Sequence, residues 1–176
     1  MLTALVESDL LHAEPDGTYS LGLELVSLAS RVGWVDRLRI ACRPHLVRLR
    51  DATQETANLI VRDGDHALYV EQVESRYSLR HSGWVGRRVP LEGTATGAAF
   101  ADRSTSHVAA GAFEAGVTAI TNAIEVADEG AAIGITGPSW RLEEFGLARA
   151  QSMVEAVARE IARRIAVNNS MSLDSR

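Results

Sequence analysis

A single cysteine, Cys42, stands in 176 residues. That excludes an internal disulfide framework and fits a reducing compartment, so a cytoplasmic location is expected. Aromatic residues are scarce, at 5%, and the apolar content rests mainly on Ala and Val. No apolar run approaches the roughly 20 residues that cross a bilayer, so no membrane partner is expected. Residues 1–6 lack a basic start and do not read as a signal peptide. Positive charge is in deficit, with 18 Lys and Arg against 23 Asp and Glu. The chain as a whole is therefore no nucleic-acid grip, although one basic face remains compatible with the total. What is present in quantity is apolar surface: 46% of the residues are hydrophobic, enough for one core domain and a small appendage.

Catalytic patterns are missing too. There is no Gly-x-Ser-x-Gly elbow and no phosphate-loop or dinucleotide glycine pattern. His12, His45, His66, His81 and His107 show no metal-ligand spacing with a Cys or carboxylate. His45 lies three residues from Cys42, which fits a buried histidine better than a ligand. Glu125, Asp128 and Glu129 cluster at an expected hairpin tip, where carboxylates are simply solvated. No enzyme, metal or cofactor is expected.

Along the chain, Leu2, Leu5, Val6 and Leu10 recur at helical spacing. Pro15-Asp16-Gly17 then marks a β-hairpin over 12–20, since Pro presets φ and Gly takes φ > 0. Residues 21–32 give an amphipathic helix that Gly33 ends. A second helix follows Asp36 as N-cap, with Leu38, Cys42, Leu46 and Leu49 on one face and Pro44 as a kink or an effective start. Strands are expected over 56–62, 66–74 and 79–85, forming an antiparallel meander. A helix covers 95–102, and 103–112 reads as a loop or weak helix. Strands at 117–126 and 131–136 are turned by Asp128-Glu129-Gly130, and Gly137-Pro138 stops the second. One last helix spans 139–167, with Leu142, Phe145, Ala150, Met153, Val157, Ile161 and Ile165 as its apolar stripe. Five strands in two antiparallel groups with flanking helices make an α+β domain, one helical layer covering one face of the sheet.

The richest segment runs from Gly86 to Phe100. A strand stops at Pro90, and the small residues Gly93-Thr94-Ala95-Thr96-Gly97 lead into a helix. Such a turn leaves backbone N–H groups free to meet a carboxylate. An ordinary strand-to-helix turn has the same pattern, and the sequence leaves both open. Arg87 and Arg88 fit either a solvated strand edge or an anion partner. Trp34, Trp84 and Trp140 fit packing at element ends, with self-association as the second reading.

With these elements placed, the chain resembles the IclR family of bacterial transcription regulators. The matching runs are Asp16-Gly17-Thr18-Tyr19-Ser20-Leu21-Gly22, Arg43-Pro44-His45-Leu46, Val85-Gly86-Arg87-Arg88-Val89-Pro90-Leu91 with Thr96-Gly97, Gly116-Val117 and Ile135-Thr136-Gly137-Pro138. The resemblance implies a partial winged helix-turn-helix over 1–22 (the end of a recognition helix plus its wing) and a linker helix over 23–35. It further implies a GAF-like effector-binding domain over 36–168 and a disordered tail over 169–176. It implies a homo-oligomer, dimer or tetramer, and a small-molecule effector, often an organic acid. Ala95 and Thr96 would offer amides to the effector's carboxylate, Val89, Val117 and Ala119 would line the apolar side, and Thr136 with the backbone of Gly134 would meet the polar end. The family's earlier winged-domain helices have no counterpart here, so operator DNA is expected as a partner only where those helices are supplied. The family also carries a few dozen more residues where this chain has 102–115, and Ala109 or a neighbour takes the place of an Asp. A more open, weaker pocket is the expectation. The alternative from another class is an interaction protein that forms mixed oligomers with full-length relatives and binds no effector.

Overall fold

The Pro15-Asp16-Gly17 turn closes its hairpin by local hydrogen bonding. The Asp16 carboxylate accepts from the Thr18 amide at 3.0 Å and from its hydroxyl at 2.6 Å, which also holds the Asp16 pKa below its ordinary value. The computed structural model describes residues 2–31, 33–125 and 130–173. It divides the chain into two units, Met1–Leu38 and Arg39–Arg176. The first holds helix α1 (Leu2–Glu7), strands β1 (Leu11–Ala13) and β2 (Tyr19–Leu21), and helix α2 (Glu24–Arg31). Leu11 pairs with Leu21 and Ala13 with Tyr19 in antiparallel register.

Helix α3 (Gly33–Thr53) crosses the division between the units. It begins before Asp36, which lies in its first turn instead of capping it, and it continues through Pro44. Cys42, Leu46 and Leu49 are buried at the expected helical spacing. Burial pushes the Cys42 thiol up to about 12, so it stays protonated and unreactive. Among the described residues no group of His, Cys, Asp and Glu is placed to hold a metal. None of the described helices is long and apolar enough to cross a membrane.

The second unit is built on one six-stranded sheet in the order β5-β4-β3-β8-β7-β6. Its strands are β3 (Thr56–Asp63), β4 (His66–Val73), β5 (Arg88–Pro90), β6 (His107–Ala110), β7 (Val117–Ile124) and β8 (Ala131–Pro138). The two expected strand groups are therefore one sheet. β3 and β8 join them, with Thr56 opposite Thr136 and Val61 opposite Ala131. Both central strands are buried on both faces, which explains their nearly unbroken apolar runs.

Four expectations need correction. No strand forms over 79–85: Gly83 and Gly86 take φ of +72° and +86°, which no extended run allows, and the third strand of the meander is β5 instead. Residues 107–110 are an edge strand, neither loop nor helix, because β7 supplies a partner ladder for them. β8 runs through Pro138, whose missing N–H is tolerated at the end of a strand. The last helix is two, α5 (Ser139–Phe145) and α6 (Leu147–Leu173), broken at Gly146 with φ +97°. That break resets the helical phase, so Ala150, Val154, Ala158 and Ile161 are the fully buried positions on α6. The expected turn at 128–130 falls largely outside the described residues.

Strand side chains alternate, and the registers sort them onto two faces. One carries Leu59, Ile120, Ile133 and Ile135. α6 lies against β7 and β8. Arg43 of α3 ties that helix to β4 through the Glu71 carboxylate at 2.7 Å, and Arg48 of α3 reaches Glu160 of α6 at 2.6 Å. Each fully buried Leu or Ile here contributes about 1.5–3 kcal/mol. The opposite face carries Ala67, Tyr69, Asn58, Ala119 and Thr136. It is covered in part by the short helix α4 (Ala95–Ala101), whose Phe100 packs on Ala123 and Ala132. Helices thus cover both faces, not one.

Candidate functional site

Between α4 and the uncovered part of that second face lies a tight cavity of about 50 Å³. Its floor is the sheet. Ala67 stands opposite Val89, Ala119 stands opposite both Thr136 and Ala109, and all five line the space. Tyr69 is two residues beyond Ala67, so it rises from the same face. Its ring meets Trp84 edge-on at 5.0 Å, and Trp84 meets Phe113 in the same way at 5.1 Å.

One wall is the first turn of α4. Thr94 caps it: its amide and hydroxyl both donate to the Leu91 carbonyl, at 3.2 and 2.8 Å, while the hydroxyl accepts from the Gly97 amide at 3.1 Å. The amides of Ala95 and Thr96 precede the first intrahelical acceptor and meet no acceptor among the described residues. Burial pushes the Tyr69 phenol up to about 12, opposed in part by Thr96 beside it. Tyr69 is thus a neutral group at any ordinary pH.

A second wall is the irregular segment between β4 and β5. Thr56 donates to the His81 carbonyl at 2.7 Å. Arg141 grips the buried Glu55 carboxylate through two N–H groups and the Leu79 carbonyl through both Nη atoms. A side-chain relay also runs under the pocket. Asn58 donates to the Thr136 hydroxyl at 3.3 Å, Gln72 donates to Asn58 at 2.9 Å, and the Trp84 amide donates to Gln72 at 3.3 Å. Having accepted from Asn58, the Thr136 hydroxyl keeps its own proton to donate. The His81 ring lies tilted against Trp84, with centroids 4.2 Å apart and planes at 46°, and its Nδ1 is buried without a partner. Burial lowers its pKa, opposed by Glu114 and reinforced by Arg87.

The third wall is the β6–β7 turn. The Val117 amide donates to the Glu114 carbonyl at 3.1 Å and the Gly111 amide to the Val117 carbonyl at 2.8 Å. These bonds set Phe113 and Glu114 over the mouth.

Val89, Ala95, Thr96, Val117, Ala119 and Thr136 therefore gather around one cavity. Gly134 does not line it. It sits in β8 between Asn58 and Thr121, where a Cβ would meet the Ile120 carbonyl oxygen at 2.5 Å. Tyr69, His81, Trp84, Phe113 and Glu114 escaped the sequence reading. Only the pairing of Ala67 with Val89 would have pointed to Tyr69, and the other four arrive from irregular segments. Arg88 pairs with Asp63 and Arg87 lies over Trp84, 5.2 Å from the ring centroid; neither lines the cavity. Among the described residues the only threonine hydroxyl on His81 is that of Thr56, which meets its backbone carbonyl and not its ring.

The family described as "Bacterial transcriptional regulator IclR C-terminal" matches residues 35–123. The HTH-type transcriptional regulator KipR of Bacillus subtilis is 37% identical over 93 residues, covering 52% of this chain and 36% of that protein. The HTH-type transcriptional regulator KdgR of Escherichia coli is 39% identical over 80 residues, covering 45% and 30%. The matched stretch thus spans about a third of the length of these curated relatives. Among solved structures, the IclR of Thermotoga maritima superimposes with a TM-score of 0.70 at 20% identity, covering 93% of this chain and 83% of its own. An IclR homologue of Microbacterium hydrocarbonoxydans, solved with 4-hydroxybenzoate, gives 0.77 at 19% identity, covering 94% and 83%. At such identities these structures establish the shared α+β, GAF-like fold alone. The family is one of regulators, not enzymes. With half of its length matched by the family and its fold shared with solved regulators, the chain belongs to the IclR family of bacterial transcriptional regulators and carries the effector-binding domain.

Proposed function

We propose that this cavity is the effector site and that its ligand is a small organic acid. The observation that carries the reading is the convergence of two unpaired amides, at Ala95 and Thr96, with the Thr136 hydroxyl on one cavity, beside the apolar side chains of Ala67, Val89, Val117 and Ala119. Donors without acceptors next to apolar walls favour a carboxylate attached to a compact hydrocarbon body. The 4-hydroxybenzoate held by the Microbacterium protein is a ligand of that class. The domain works as a dimer or tetramer in the cytoplasm. In this reading α1 and the β1–β2 hairpin of residues 1–22 are the end of a recognition helix and its wing, 23–35 form the linker, and 36–168 form the effector domain. Operator DNA is held only when the full winged domain is present.

The test is a thermal-shift and calorimetric series with benzoate, pyruvate and glyoxylate. Binding raises the midpoint by mass action. Thr96→Pro removes one donor in a helical turn that tolerates the ring and is expected to weaken benzoate binding by about 10-fold, one lost charge-assisted hydrogen bond. Unchanged affinity in that variant would refute the amide contact, and no response to any of the acids would refute the carboxylate reading.

A further inference from the structure

A pocket for an anion is expected to hold a cation, yet the described lining residues here include no Arg or Lys and one carboxylate, Glu114. Glu114 does not share the end of the cavity where the donors are. Thr94, Ala95 and Ala109 also border an open groove beside α4 and β6. His81, Trp84 and Glu114 instead border a separate cleft with Leu79 and Trp140. The cavity is therefore polarised. Hydrogen-bond donors stand at the α4 end, while the other end carries the Glu114 carboxylate with the His81 ring beside it. The backbone of the turn holds Glu114 in place through its carbonyl, and Arg87 is drawn onto Trp84, its guanidinium carbon 5.2 Å from the ring centroid. We propose that Glu114, with His81 beside it, is the specificity-determining end of the pocket: it admits a monocarboxylate whose far end carries a hydrogen-bond donor such as a hydroxyl, and it turns away dicarboxylates. This rests on the carboxylate reading above. A second carboxylate at the far end would meet a like charge, and juxtaposed like charges act as a filter. A hydroxyl there would instead donate to the Glu114 carboxylate.

Three acids with one ring, benzoate, 4-hydroxybenzoate and terephthalate, separate the two claims by calorimetry on the whole chain. For the unaltered protein, 4-hydroxybenzoate is expected to bind about 3- to 10-fold tighter than benzoate. Terephthalate is expected to bind at least about 10-fold weaker than benzoate. Glu114→Gln, on an exposed turn, is expected to bring terephthalate to within about 3-fold of benzoate, whereas Glu114→Asp keeps the rejection. A merely structural role for Glu114 would change all three affinities together and leave their ratios alone. Terephthalate binding as well as benzoate, or a ratio unmoved by Glu114→Gln, overturns the inference while the carboxylate reading stands. If none of the three acids binds, both fall.

Discussion

Gly97 decides where the first turn of α4 sits, and replacing it tests the architecture of the site without any ligand. In a helix interior, Gly→Ala normally stabilises by about 0.5–1 kcal/mol. Here the added Cβ would lie 1.9 Å from the Leu91 carbonyl oxygen and 2.7 Å from its carbon. Restoring even a tight contact requires a displacement of about 1 Å or more. The Leu91 carbonyl has little freedom to swing, because it accepts both the Thr94 amide and the Thr94 hydroxyl. Overpacking of this kind costs about 1–3 kcal/mol. The contact is severe enough to sit at the upper end, so the net expectation is a loss of about 2 kcal/mol. At roughly 4 °C per kcal/mol for a domain of this size, the midpoint of Gly97→Ala should fall by about 8 °C. The same displacement moves the Ala95 and Thr96 amides. Two charge-assisted hydrogen bonds at about 1.5 kcal/mol each make the loss of benzoate affinity on the order of 100-fold. Differential scanning calorimetry and ligand titration read the two arms. A variant as stable as the parent, or more so, would mean that helix propensity prevails and that α4 is not pinned against Leu91.

Two further predictions concern charge. Arg141→Ala leaves the Glu55 carboxylate buried at 1% exposure without its partner; urea denaturation should show a loss of about 3–5 kcal/mol, largely recovered when Glu55→Gln is added, and a loss under 1 kcal/mol would contradict the assignment of that pair. The second is a dependence on pH. Burial lowers the pKa of both His45 and His81, against the pull of Glu160 on the first and Glu114 on the second. The unfolded chain therefore takes up protons near pH 6.5 that the folded chain refuses, and stability falls as pH drops below that value through the lowered folded pKa values. The slope is at most about 1.4 kcal/mol per pH unit for each histidine. The lowered carboxylates Glu155 and Glu160 keep their contribution until pH falls below the ordinary carboxylate range. Urea midpoints between pH 8 and 5 should be flat and then decline, and His45→Gln should flatten the decline; parallel profiles would refute the histidine assignment.

Much of this protein is legible locally. Asp16 and Gly17 specify their turn, Thr94 caps α4 with its own hydroxyl, and the 3.6-residue spacing of Leu38, Cys42, Leu46 and Leu49 marks the buried face of α3. Six of the seven site residues named from the sequence do surround one cavity. The failures have a common cause. Residues 107–110 are small and weakly patterned, and they become a strand because β7 offers a ladder. His81 and Trp84 lie on a segment with no periodicity, held by Thr56, Gln72 and Arg141 from distant parts of the chain. Gly134 has the right spacing, but it faces a neighbour across the sheet, where only a hydrogen fits.

By itself the sequence determined the elements whose information is carried within a few residues: the hairpin, most of the helices, the buried face of α3, and the four long strands. The tertiary structure decided what those elements meet. It joined β3 to β8, made two hairpins into one sheet, and brought Tyr69, His81 and Glu114 around the same space. Turn chemistry and periodicity are short-range, whereas strand pairing and pocket closure are set by side chains dozens of residues apart, whose contacts exist only once the chain is folded.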